Sequence, residues 1–149
     1  MATASRRQQI LEAFRDRLLA VTTDDDFERR PTLFLGETPP LGPDDPDTAI
    51  AIVVQDTEPQ YQGVNVFESL PIEIQAIAKA DLDQPWLAAE DILGRCIAAI
   101  ELEDRTLGGL VTRKIDVGPT RTLPREEGST TVGIAITYVA PYARQWGVP

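Results

Sequence analysis

The first part of the chain carries apolar side chains at steps of three and four residues. These positions are Ile10, Leu11, Phe14, Leu18 and Val21. That spacing places them on one face of a helix. Ser5 and Gln8 have the spacing of a capping box, which marks a helix start. We therefore predict an amphipathic first helix from Arg6 to about Val21.

Two later segments have strand patterns. Ala49–Val54 is a continuous apolar run rich in β-branched residues, which indicates a buried central strand. From Val64 to about Ala80, apolar and polar side chains alternate, which predicts a long strand with one covered face. Pro71 falls in the polar set of this alternation. Because proline cannot donate a hydrogen bond to a neighbouring strand, it predicts a sheet edge or a bulge at this point.

A second helix is predicted to begin near Pro85, because proline suits a first helical turn and Asp81 and Asp83 precede it. The helix is predicted to run to Glu103, with Gly108 as its stop. The apolar stripe of this helix consists of Ala89, Ile92, Leu93, Cys96, Ile97 and Ile100.

Three shorter strands complete the expected elements. They are Thr32–Leu35, Gly109–Val117 and Thr130–Val139. A turn-rich stretch, Gly118–Gly128, separates the last two.

Helices and strands in this order predict an α/β (α+β) fold. Because successive strands lack helices between them, antiparallel pairing is favoured. We expect a mostly antiparallel sheet of four to five strands with both amphipathic helices packed on one face. Residues 1–149 are expected to form a single domain, with an exposed Pro- and Asp-rich loop near 38–47 and a C-terminal docking tail near 140–149.

The composition removes several classes of function. The net charge is −10, from 24 acidic and 14 basic side chains, so no sheath of cations is available to grip nucleic acid. The chain has no histidine, and its one cysteine, Cys96, lies in the apolar stripe of the second helix. No phosphate loop, zinc spacing or nucleophile elbow is present. We predict a protein that is not an enzyme, with no catalytic residues, no cofactor, no metal site and no membrane segment.

Clustered acids are the remaining candidates for chemistry. They are Asp24, Asp25 and Asp26 in one turn and Asp44 and Asp45 in another. Neither cluster has the spaced ligands, glycine and terminal glutamate of a calcium loop. Solvated turns are therefore favoured, and in an assembly these acids could form an acidic loop or line a lumen.

Taken together, the chain resembles the tail-terminator (tail completion) proteins of long-tailed bacteriophages. The resemblance rests on the order and texture of the elements and covers nearly the whole chain, with no diagnostic motif. The segments that carry it are residues 8–14, 49–54, 70–76, 88–94, 108–111 and 132–138. The loop at 38–47 has no clear counterpart in the family.

The resemblance implies a structural virion protein that forms a ring, a hexamer, at the head-proximal end of a phage tail. Such a ring stops polymerisation of the tail tube and offers a surface for head–tail joining. The implied partners are copies of itself, the tail tube protein and a head-completion or connector protein, and DNA passes through the pore without specific binding. The implied location is the tail or neck of the virion, after assembly in the host bacterial cytoplasm.

Several residues are candidates for contacts with a neighbouring subunit. Pro71 marks either a guard against aggregation or an edge used for assembly. Arg113, Arg121 and Arg125 are either solvated or paired with acids of a neighbour. Tyr142 and Trp146 in the C-terminal segment pack either on their own domain or on a neighbour.

Two other classes of function stay open at this stage. Within the structural class, the chain could be another neck, connector or minor tail protein of similar fold. Outside it, the chain could be a small cytosolic ligand-binding or regulatory α/β domain, or, least favoured, an enzyme that uses only carboxylates and arginines.

Overall fold

The computed structural model describes residues 4–23, 31–36, 47–123 and 130–149. Within these ranges the chain forms two helices and one six-stranded sheet. The elements are α1 (Arg6–Thr22), β1 (Thr32–Leu35), β2 (Thr48–Val54), β3 (Gln60–Gln62), β4 (Asn65–Lys79), α2 (Pro85–Glu101), β5 (Asp116–Thr122) and β6 (Thr131–Gln145). The α+β class is confirmed, with six strands rather than four to five.

The sheet is built around its two longest strands. The strand order is β1-β2-β4-β6-β5, and β3 pairs separately with β4. β1 and β2 are parallel, and the other pairs are antiparallel. β4 and β6 pair along their whole length, from Asn65 opposite Gln145 to Lys79 opposite Thr131. Three other strands pair with these two: β2 and β3 with β4, and β5 with β6.

Both helices pack on one face of the sheet, as the sequence predicts. Ile52, Ile74 and Ile136 lie side by side on β2, β4 and β6, and all three are buried. Their cluster includes the apolar stripes of both helices. The ring of Phe14 on α1 lies 6.1 Å from the ring of Tyr138 on β6. Burial of these alternate strand positions supplies the main driving force for folding.

All four helix ends lie close to their predicted positions. The Ser5 hydroxyl accepts a hydrogen bond from the Gln8 amide at 3.0 Å, and α2 begins at Pro85. α1 ends at Thr22, close to the predicted end. α2 ends at Glu101, close to the predicted last residue Glu103. Arg17 of α1 donates hydrogen bonds to the carbonyl oxygens of Ile100, at 3.1 Å, and Asp104, and so satisfies free carbonyl groups at this helix end.

β4 is not an edge strand and its pairing with β6 has no bulge, so the predicted edge or bulge was wrong for the strand as a whole; Pro71 itself lies one residue beyond the last pair between β2 and β4. β4 has β2 on one side and β6 on the other, and its register with β6 runs through Pro71 without a shift. Proline is tolerated because Pro71 turns its backbone toward β2, which has just ended. There its carbonyl oxygen accepts a hydrogen bond from the Gln55 amide at 3.0 Å, and no ladder bond to β6 requires an amide hydrogen.

Three strand boundaries also differ from the prediction. A strand was expected at Gly109–Val117, but the observed strand β5 begins only at Asp116. Backbone hydrogen bonds among residues 106–111 form turns there instead. Residues 140–145, predicted to belong to a tail, continue β6. β3 was not predicted at all, because its three residues are polar or exposed and show no alternation.

Candidate assembly surface

One end of the sheet, where β3 pairs with β4, forms an arm whose last residue accepts a hydrogen bond from the Arg6 amide at the start of α1. We define the arm as residues 60–69 of β3, β4 and their loop, together with residues 141–149. Gln62 pairs with Asn65, so Gly63 and Val64 form a two-residue hairpin loop. Gly63 has φ +61°, a left-handed conformation that suits glycine at the first position of such a loop.

The arm carries an exposed apolar patch. Its members, with the exposed fraction of each, are Tyr61 (61%), Val64 (67%), Trp146 (60%) and Val148 (53%). We call these four residues the arm patch. Exposed apolar side chains that lie close together often mark an interaction site.

The arm patch is held in a fixed geometry although it is exposed. The rings of Tyr61 and Trp146 stack at 4.9 Å with an angle of 21° between their planes. The indole Nε1 of Trp146 donates to the Gly63 carbonyl oxygen at 3.2 Å, and the Trp146 amide donates to Val64 at 3.1 Å. Rigid aromatic side chains lose little conformational entropy on binding, which suits them to act as anchors of an interface.

A groove lies between the first turns of α1 and the ends of β1 and β2. Its volume is about 510 Å³. Its lining is apolar at Leu11, Leu35, Ile52, Val53 and Val54 and polar at Gln8, Glu12 and Arg15. We call it the α1–β2 groove. Leu35 is 69% exposed, so a second apolar surface lies open here.

A buried tyrosine, Tyr142, joins the arm to the rest of the domain. Tyr142 is buried, and its hydroxyl donates to the carboxylate of Glu68. Burial, and then this hydrogen bond, raises the pKa of Tyr142 to about 12. Arg144 Nε lies 3.7 Å from the same carboxylate. Tyr142 therefore anchors the arm to its own domain. A smaller, more polar cavity of about 330 Å³ lies beside it and includes Arg113 in its wall.

The sheet face that the two helices do not cover holds a buried ion pair. Glu73 on β4 is only 2% exposed, and Arg121 on β5 reaches across β6 to hold both carboxylate oxygens, with Nη2 at 2.9 and 3.1 Å. The amides of Gln75 and Gln55 donate to the same carboxylate at 2.8 and 3.2 Å. A buried charge is tolerated when it is paired and fully hydrogen-bonded, as here. This network fastens β5 to the centre of the sheet.

Buried groups near α2 are suited to packing and not to chemistry. Burial raises the pKa of the Cys96 thiol to about 12, so the nucleophilic thiolate is scarce at neutral pH. Tyr138 donates its hydroxyl to Glu101 at 2.7 Å, and its pKa is raised by burial and by this bond. Among the described residues, no group of three or more acidic, cysteine or histidine side chains is placed to hold a metal ion.

Asp104, just after α2, serves a local turn. Its side chain accepts hydrogen bonds from the hydroxyl and amide of Thr106 and from the amide of Gly108. The bonds from Thr106 and Gly108 lower the pKa of Asp104. The acidic end of α2 thus has a structural task within the chain.

The interface residues predicted from the sequence fall into different groups in the structure. Arg121 pairs with Glu73, and Arg113 pairs with Asp116 at 3.1 Å, both within the chain. Among the predicted interface residues that the structure describes, Trp146 alone lies in an exposed apolar surface, together with its stacked partner Tyr61. The residues of the predicted acidic loops and one arginine lie outside the described ranges; they are Asp24, Asp25, Asp26, Asp44, Asp45 and Arg125.

Sequence reasoning missed Tyr61 and Val64. They join Trp146 only through the register of β3, β4 and β6, which a linear pattern does not reveal. One local signal was available: Gly63 between two short polar-flanked segments is typical of a two-residue hairpin loop.

In comparisons with protein-family models and with curated proteins, the chain has no significant match. The fold defines an α+β protein whose most distinctive feature is the exposed arm. No helix in the described ranges combines the length and hydropathy needed to cross a membrane.

Proposed function

We propose that this protein is a structural component of a bacteriophage tail that assembles into a ring with copies of itself at the head-proximal end of the tail tube. In this role the ring ends tube growth and presents a surface for joining the head. The observation that carries the proposal is the arm patch, a rigid and exposed apolar surface on a protein with an ordinary, well-filled core.

The distribution of surfaces supports assembly by rotation. The arm patch and the α1–β2 groove are different surfaces of one chain. When a contact between two different surfaces is heterologous, repeating it produces a closed ring if the rotation angle fits. A contact that uses one surface twice would instead stop at a dimer.

The chain's charge supports a pore through which DNA moves without being held. The net charge of −10 is repeated in every subunit of a ring, so the ring as a whole repels the phosphate backbone. Near α2 alone, residues 81–104 include seven acids and one arginine. Transit of DNA, with no specific binding of it, is consistent with this composition.

The proposal is tested first by the mass of the particle. Light scattering of the purified chain, with and without tail tubes, is expected to show ring-sized particles at least when tubes are present. Electron microscopy of virions made without the protein is expected to show tails of uncontrolled length or tails without heads. Tails of normal length, joined to heads, would contradict the proposed function.

A second candidate function is favoured by one observation. The α1–β2 groove, at about 510 Å³ and mostly apolar, falls within the size range of small-molecule sites. In this alternative the protein is a small ligand-binding or regulatory domain. A compact dimer whose melting temperature rises with small apolar ligands, and which does not respond to tail tubes, would favour it.

A further inference from the structure

We propose that residues 146–149 form a strap that ties the arm to the first turn of α1, so that a change at the arm patch is transmitted to the α1–β2 groove. The coupling lies within one chain and is tested without a partner. Its biological meaning rests on the proposed function, in which a subunit uses different surfaces for its neighbours, the tube and the head.

The strap is fixed to the arm at Trp146. The indole stacks on Tyr61 at 4.9 Å, and its Nε1 donates to the Gly63 carbonyl oxygen at 3.2 Å. The backbone amide of Trp146 donates to the Val64 carbonyl oxygen at 3.1 Å. Because both the side chain and the backbone are bonded to the β3–β4 hairpin, a displacement of the hairpin also displaces Trp146.

A tight turn sets the direction in which the strap leaves the arm. Gln145 ends β6 opposite Asn65, and its carbonyl oxygen accepts a hydrogen bond from the Val148 amide at 3.0 Å. Gly147, the third residue of this turn, has φ +75°, a conformation that favours glycine. A Cβ added at Gly147 would meet no atom within 4 Å, so glycine is needed here for its backbone conformation and not for space.

The far end of the strap is bonded to the start of α1. The carbonyl oxygen of Pro149 accepts a hydrogen bond from the Arg6 amide at 3.3 Å. Arg6 is the first residue of α1, and an amide at that position has no acceptor within its own helix. The Ser5 hydroxyl serves the Gln8 amide in the same turn. The strap thus supplies one of the two caps of this helix end.

The next residue of α1 also interacts with the arm. Burial and the hydrogen bond to Glu68 raise the pKa of Tyr142, while the positive charges of Arg7 and Arg144 lower it. The Arg7 guanidinium therefore lies close enough to act on the joint between the arm and the domain. Two successive residues of the first turn of α1 are in this way linked to the arm.

The same end of α1 lines the α1–β2 groove. Gln8, Leu11 and Glu12 belong to the first two turns of the helix, and residues 35–36 and 52–54 complete the lining. A shift of the first turn of α1 therefore changes the groove. Contacts in series do not by themselves establish coupling, which requires that the groove respond when the strap is released.

Two variants release the strap by different routes. Gly147→Val strains the turn, because valine is disfavoured at φ +75°, and it keeps every apolar side chain of the arm patch. Trp146→Ala removes the stacked ring and the indole hydrogen bond. We call these two the release variants. Val64→Ala is the matched control, because it removes apolar surface from the same patch but keeps the carbonyl oxygen that holds Trp146.

Nuclear magnetic resonance of the full chain gives both readouts. Hydrogen exchange of the Arg6 amide reports the bond to Pro149, and we expect it to become about tenfold faster in both release variants. The methyl signals of Leu11 and Ile52 report the groove, and we expect them to shift in both release variants. The control is expected to leave the exchange rate and the methyl signals unchanged.

Four results would overturn the coupling. Unchanged exchange at Arg6 in both release variants would mean that the strap does not hold the helix start. Faster exchange with unmoved methyl signals would mean that the effect stops before the groove. An equal response in Val64→Ala would mean that the arm loosens as a whole. Loss of the circular dichroism of the fold in both release variants would make residues 146–149 part of the core instead of a strap.

The proposed function fails or stands on a different measurement. None of these readouts uses tail tubes, whereas electron microscopy of virions made without the protein does not depend on the strap. Normal tails together with a responsive groove would end the proposed function and leave the coupling in place. Defective tails together with an unresponsive groove would end the coupling and leave the proposed function in place.

Discussion

β4 and β6 run through two very different regions of the molecule. From Ile72 to Ala78, β4 is flanked by β2 and β6 and its apolar set is buried under the helices. From Asn65 to Phe67, β4 pairs with β3 and with the end of β6, and the neighbouring Tyr61 and Trp146 are open to solvent. The same two strands thus form the core at one end and an exposed arm at the other.

The difference shows that whether a strand's apolar side chains are buried depends on the elements that cover the strand, and not only on its own alternation of apolar and polar residues. Alternation continues from the middle of β4 into the arm, where Val66 is still buried. In the middle of β4, the two helices cover one face of the strand. In the arm, β4 gains the three-residue strand β3 as its neighbour in the sheet. An apolar patch that the chain itself leaves uncovered is available to a second molecule.

The largest expected effect comes from opening a cavity in the middle of β4. Ile74→Ala removes a fully buried side chain between Ile52 and Ile136, and we expect the free energy of unfolding to fall by about 2–5 kcal/mol. Urea denaturation followed by circular dichroism measures the change. Val64→Ala in the arm is the matched control, with an expected change within about 0.5 kcal/mol. Equal losses at both sites would contradict the division between core and arm.

The next effect concerns the buried ion pair on the opposite face. Glu73→Gln keeps the shape of the side chain but leaves Arg121 without its counter-charge. Because the Arg121 side chain is 48% exposed and water can solvate it, we expect a loss of about 1–2 kcal/mol. Asp116→Asn, which breaks the exposed pair with Arg113, is the control and should cost under about 0.5 kcal/mol. A larger loss in the control would show that exposure does not weaken these pairs.

Alkaline pH is expected to lower the free energy of unfolding, through the buried thiol of Cys96 on α2. The Cys96 thiol has its pKa raised from 9.0 to about 12 in the fold, so above pH 9 the unfolded chain releases a proton that the folded chain retains. Stability from this group is fully present below pH 9 and is lost as the pH rises toward 12, by about 1.4 kcal/mol per pH unit.

Urea titrations at pH 8, 10 and 11 measure this slope. Cys96→Ala is the comparison, because it removes one titrating group whatever its effect at neutral pH. The fall in the free energy of unfolding with pH is expected to be smaller in the variant, by about 1.4 kcal/mol per pH unit. Identical slopes in the two proteins would mean that the thiol ionises equally well when folded.

The middle of the fold was largely predictable from the sequence. Periods of three to four and of two reveal surfaces that the chain itself buries, and α1, α2, β2 and much of β4 and β6 follow from them. The displaced strand β5 was not predictable in this way, because its residues are mostly exposed and Gly118 and Pro119 resemble a turn. Pro71 misled because its tolerance depends on where β2 ends, which is a property of the sheet.

The candidate site was predictable only in part. Trp146 stood out as a large aromatic residue near the end of the sequence. Its partner Tyr61 lies 85 residues away along the chain and meets it only when β3, β4 and β6 are in register. A surface built from long-range register leaves no periodic signal, so the structure was needed to find it.

The smallest expected effect on stability comes from the arm. Trp146→Ala removes an aromatic ring that is 60% exposed and stacked on Tyr61, so we expect the free energy of unfolding to change by less than about 1 kcal/mol. Assembly should respond more strongly, because truncating a central interface anchor costs about 2 kcal/mol or more in each contact. The two measurements are urea denaturation and light scattering over a range of protein concentrations. Leu102→Ala, at an exposed apolar site away from the arm, should change neither. A loss of several kcal/mol in the Trp146 variant would mean that the arm belongs to the core, because an exposed side chain that stabilises its own fold so strongly is not free to serve a second copy.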